Sequence, residues 1–139
     1  MKLLLDTNAY AALMRGHAGV AGRVRRAEQV FLSAVVAGEL MFGFRNGSRY
    51  EQNMRDLEDF LDNRHVSLLP VSLTTADRFG RIAALLRRKG KAMPTNNIWI
   101  AAHAIESGAE LLSSDRHFAW IDGLVWIRPC TSGSDQPKV

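Results

Sequence analysis

Asp6 closes the apolar run Lys2–Leu5, and Asp115 follows Glu110–Leu112 across Ser113 and Ser114. Glu39 lies among Val35, Val36, Gly38 and Leu40. Each acid has a plain structural account by itself. An Asp at a strand-to-helix junction caps the helix, a lone Glu beside an apolar face keeps a solvated tip, and Asp115 ahead of Arg116, His117 and Phe118 caps a short turn. Together they say more. Grouped carboxylates repel one another, so their convergence at one edge of a sheet makes most sense around a cation. The chain has no His/Cys spacing of the kind that holds zinc.

The elements that must position these acids are legible as alternating short apolar runs and helical stripes. Lys2–Leu5, Val30–Leu32, Val66–Leu69, Glu110–Leu112 and Val125–Ile127 read as strands. Helices are expected over Ala9–Arg15 with Thr7 and Asn8 as caps, over His17–Ala27, and over Ala34–Arg45 with Ser33 as cap. Another carries the face Tyr50, Met54, Leu57, Leu61. A fifth, capped by Ser72, is read with the buried stripe Leu73, Ala76, Gly80, Ala83, Leu86, and a sixth carries Ile98, Ala101, Ala102, Ile105 before Gly108. Strands alternating with helices give an α/β fold with a parallel sheet covered on both faces. In such folds ligands bind at the carboxyl ends of the strands, near a switch in strand order.

The length of 139 residues suits one domain. Cys130 is the only cysteine, so no intrachain disulfide can form. No apolar run approaches the roughly 20 residues of a membrane span, and Asp6 interrupts the first run too early for a secretory signal. A reducing cytoplasm is the expected compartment, with no membrane partner. Lys and Arg total 18 against 14 Asp and Glu, a balance that permits a polyanionic partner.

The runs LLLDTN (Leu3–Asn8), SAVVAGEL (Ser33–Leu40), MPTNNIWIAAHA (Met93–Ala104) and LLSSDRHF (Leu111–Phe118) resemble those of the PIN domain. More narrowly, they are similar to the VapC-type toxin ribonucleases of toxin–antitoxin pairs. The resemblance covers about residues 1–128 in order and spacing. It implies a three-layer α/β/α fold with a central parallel sheet of four to five strands, in a PIN-like domain over 1–128; residues 129–139, PCTSGSDQPKV, read from their Pro, Ser and Gly content as a loose tail. It further implies an endoribonuclease that depends on Mg²⁺, with Mn²⁺ as a substitute, and cuts single-stranded or looped RNA. A cognate antitoxin would hold it silent, in a homodimer or in a heterotetramer or larger complex. The metal would sit on Asp6, Glu39, Asn97 and Asp115. Magnesium prefers six oxygens and keeps several waters; once bound it acidifies a water and neutralises charge growing on the phosphoryl oxygens.

Asn97 departs from the family pattern, which has Asp there. An amide keeps a ligating carbonyl oxygen but loses the negative charge and adds an NH₂ donor. Reduced metal occupancy and reduced cleavage follow as expectations, whether the Asn is an inactivating replacement or native to a degenerate, non-catalytic RNA- or protein-binding module. Helix capping by Asn96 or Asn97 is the structural alternative. A third reading, an aspartate nucleophile in LLLDTN, would want a second acid where Asn8 stands.

Thr7, Asn8 and Ser113 are candidate polar supports for the acids, with capping as the alternative for the first two. His117 is a candidate acid, or a surface histidine. Arg87, Arg88, Lys89 and Lys91 are candidate contacts to an RNA backbone, or cations favoured at a helix carboxyl end. Trp99, Trp120 and Trp126 are read as structural.

Overall fold

The computed structural model describes residues 1–129, so the tail expected over 129–139 lies, beyond its first residue, outside the described residues. Five strands form one parallel sheet: β1 (Lys2–Leu5), β2 (Gln29–Ser33), β3 (Val66–Leu69), β4 (Glu110–Leu112) and β5 (Trp126–Ile127), in the order β3-β2-β1-β4-β5. Leu3, Leu4 and Leu5 are fully buried, as a central strand covered on both faces requires. Val125, expected in the last strand, is exposed and precedes it.

The helices are α1 (Thr7–Met14), α2 (Ala18–Arg26), α3 (Ala34–Arg45), α4 (Tyr50–Asp62), α5 (Leu73–Arg88) and α6 (Thr95–Ser107). The steps β1 to β2 and β2 to β3 move the same way across the sheet, and β3 to β4 moves back. Right-handed crossovers therefore put α1–α4 on one face and α5–α6 on the other, a three-layer α/β/α sandwich. The reversal makes β1 and its neighbours the switch point. Leu5 stands level with Leu32 and with Leu112. Their successors Asp6, Ser33 and Ser113 consequently stand side by side at the carboxyl rim of the sheet.

Three local readings need correction. Thr7 and Asn8 do not cap α1; Asp6 does, accepting from the Ala9 N–H at 2.8 Å, and the helix starts at Thr7. The buried stripe of α5 is Thr75, Ile82 and Leu86 rather than one beginning at Leu73, which is 86% exposed. Gly80 is exposed too. Asn96 and Asn97 do not cap α6, whose N-cap position is Pro94 with no side-chain bond. Among the described residues no helix is long and apolar enough to cross a membrane.

A buried histidine ties the layers together under the rim. His103 of α6 is 1% exposed. Its Nδ1 pairs with the Ser33 hydroxyl at 2.8 Å and its Nε2 with the Pro70 carbonyl at 3.0 Å. His103→Leu keeps most of the volume but strands both partners. It should cost about 2–4 kcal/mol in urea unfolding; a loss below half a kcal/mol would show that the ring merely fills space.

Candidate active site

Asp6 is the most buried acid of the site, at 6% exposure. One carboxylate oxygen takes the Ala9 N–H and the other the Ser113 hydroxyl. Burial raises its pKa above the usual carboxylate range. The Ser113 and Ala9 bonds offset part of that, and repulsion from Asp115 and Glu39 adds to it.

Glu39 reaches the rim from the second turn of α3, which Ser33 caps through Val35 N–H at 3.0 Å. Thr7 donates its hydroxyl to Glu39 Oε1, and Asn96 donates Nδ2 to Oε2 at 3.0 Å. Asp115 caps the short 3-10 helix Arg116–Trp120. Asn97 Nδ2 donates to its Oδ2 at 2.8 Å, while the His117 backbone and ring Nδ1 share Oδ1 at 2.9 and 2.8 Å. Partial burial pushes the Asp115 carboxyl up, but the bonds from the His117 backbone, the Asn97 amide and the His117 ring outweigh it and hold it below its ordinary value. Consecutive helical residues point about 100° apart, so the Asn96–Asn97 pair splays over two different carboxylates.

The six carboxylate oxygens of Asp6, Glu39 and Asp115 thus each accept at least one protein hydrogen bond. Among the described residues no Lys or Arg forms an ion pair with any of the three. This all-oxygen donor set, short of positive charge, fits a hard divalent cation in its chemistry. Among the described residues no three His, Cys, Asp or Glu side chains form a ready metal cage. A carboxylate oxygen has a second lone pair, so the donors do not exhaust the site. The Asn97 amide does occupy one Asp115 oxygen that an ion would otherwise share.

The structure brings Asp6, Glu39, Asn97 and Asp115 to one rim, with Thr7 and Ser113 bonded to them. Asn8 is exposed and bonds none of the acids; it lines a groove with Ser114, Arg15 and His17. Arg87 and Arg88 end α5 in solvent. Lys89 is neutralised by Asp122 at 3.0 Å, and Lys91 lies over the Trp120 ring. Sequence reasoning gave Asn96 no role beyond capping, although the doubled Asn at a helix start was the available signal. Ser113 holds two strands of the site at once, donating to Asp6 and accepting from the Asp115 N–H at 3.0 Å. Ser113→Ala should therefore destabilise by about 1–3 kcal/mol in denaturant titration; an unchanged midpoint would remove it from the network.

The PIN domain family model matches residues 3–124, a span that contains all four positions, and the chain belongs to that family. It is similar to ribonuclease VapC2 of Haemophilus influenzae, with 32% identity over 117 residues, 83% of this chain and 87% of the relative. It is also similar to the tRNA(fMet)-specific endonuclease VapC of Shigella flexneri, 27% identical over 127 residues, 89% of this chain and 95% of the relative. In three dimensions it superposes on VapBC-1 from nontypeable Haemophilus influenzae with a TM-score of 0.82 and 28% identity, covering 92% of this chain and 98% of that one.

Proposed function

We propose that the chain is the ribonuclease toxin of a toxin–antitoxin pair: a Mg²⁺-dependent endoribonuclease, able to use Mn²⁺, acting on RNA in the cytoplasm and slowed by Asn97. The observation that carries the reading is the convergence of Asp6, Glu39 and Asp115 at the switch point of the sheet with no Lys or Arg ion-paired to them among the described residues. Asp6, Glu39 and Asp115 would hold the ion through carboxylates and Asn97 through its carbonyl oxygen. When bound, the ion supplies an acidified water and relief of charge at the phosphoryl oxygens. Ser113 and Thr7 keep Asp6 and Glu39 in place.

Two observations support partners. The Tyr10 hydroxyl is buried without a hydrogen-bond partner. It borders a groove of about 220 Å³ with Met14, Leu40, Phe44 and Asp56, where a segment of an antitoxin would satisfy it. Phe42, Val71 and Leu73 are exposed, and apolar surface of this kind supports a self-paired chain, alone or in a larger complex with antitoxin. The full set of donors on the carboxylates favours a second reading, a non-catalytic RNA- or protein-binding module. Cleavage of RNA in Mg²⁺ against EDTA, by this chain and by Asn97→Asp, separates the two.

A further inference from the structure

We propose that Lys91, Trp120 and His117 form a nucleotide subsite that holds the RNA strand on the Asp115 side of the acid cluster. The proposal rests on the ribonuclease reading and says where the strand runs.

His117 joins the subsite to the acids, since its ring bonds Asp115. That ring meets Trp120 edge-on, with centroids 4.8 Å apart. The Lys91 ammonium lies 5.0 Å from the Trp120 centroid. The segment after Lys91 leads directly to Pro94 and the two asparagines, so cation, aromatic ring, imidazole and acids are consecutive parts of one surface.

The cations of this side are not equivalent. Arg81 is paired with Asp77 and Lys89 with Asp122, whereas Lys91 has no ion-pair partner among the described residues. An aromatic face holds Lys91 in place without neutralising it. Its charge thus remains available to a phosphate, in contrast to that of Lys89. His117 is 45% exposed, and its Nε2 is left for a strand once Nδ1 is committed to Asp115. Single-stranded RNA is held by the same combination of a basic contact to the backbone and an aromatic surface under a base. Trp99 does not offer it, because it stacks on Phe79 at 4.1 Å; Trp126 has a cation over it too, Arg128 at 5.9 Å, but no contact comparable to that of the His117 ring ties that pair to the acids.

The test is binding of a fluorescein-labelled oligouridylate by anisotropy in Mg²⁺, over a range of salt, with the oligonucleotide shown intact on a gel. Lys91→Ala should weaken binding several-fold and reduce the slope of log affinity against log salt by about 0.7. Trp120→Leu should weaken it about tenfold, and Trp120→Phe should recover most of that. Arg64→Ala, which removes the same charge ahead of β3 at the opposite rim, should leave the slope unchanged. If Trp120→Leu loses its circular dichroism signal, Lys91→Ala and Trp120→Phe decide the matter alone. A wild-type chain that binds while Lys91→Ala behaves as Arg64→Ala overturns the subsite and leaves the ribonuclease reading standing. A wild-type chain that binds no RNA overturns both.

Discussion

Asn97→Asp should cleave single-stranded RNA on the order of 100-fold faster than the wild-type chain in Mg²⁺, and should be silent in EDTA. The geometry gives the reason. The Asn97 amide donates to Asp115 at 2.8 Å, in a cluster where Asp6 already feels Asp115 and Glu39. Replacing the donor with a carboxylate removes a hydrogen bond and adds a fourth negative charge. Without a cation the variant must be less stable, by about 1 kcal/mol or a Tm drop of a few degrees. With Mg²⁺ that loss should reverse, because an ion that binds only the folded state stabilises it in proportion to the logarithm of its concentration over Kd. Thermal denaturation with and without Mg²⁺ reads the electrostatics without relying on turnover. A variant that neither cuts RNA nor shifts its Tm with Mg²⁺ would leave the second reading, the binding module, in possession.

The meeting of the three acids at one rim was readable because each is positioned by an element that announces itself. Leu3-Leu4-Leu5 reads as a buried strand, and Asp6 follows it where the strand order reverses. Ser33 fixes the start of α3, and the helical repeat then carries Glu39 back over the same rim. What was not readable depends on contacts between elements. The register of α5 is set by Thr75, whose hydroxyl donates to Glu106 of α6 at 2.6 Å, and no periodicity within α5 reveals that partner. The same holds for His103, a histidine in a run of apolar residues whose two hydrogen-bond partners lie far away in sequence at Ser33 and Pro70. Capping was misassigned for a related reason: a polar residue beside a strand end can cap a helix or reach a distant carboxylate. Thr7 does the second, while Asp6 caps the helix and accepts the distant Ser113 hydroxyl as well.

That double duty of Asp6 yields the sharpest separation of structure from chemistry. In the Asn97→Asp background, Asp6→Asn should abolish RNA cleavage to the EDTA level and eliminate the Tm response to Mg²⁺. It should nevertheless raise the metal-free Tm by about 2–4 °C. Asn is as good a cap as Asp, so the Ala9 N–H keeps its acceptor. The substitution removes a charge that burial, Asp115 and Glu39 all oppose. Asp6→Ala should also abolish cleavage, but it loses the cap and leaves the Ser113 hydroxyl without its acceptor, at a cost of about 1–2 kcal/mol. If Asp6 served only to start α1, the amide variant would keep cleaving and the alanine variant alone would fail. If its charge is the functional property, both fail at cleavage and only alanine fails at stability. An Asp6→Asn protein that still cut RNA in Mg²⁺ would take the central carboxylate out of the chemistry and leave it a helix cap.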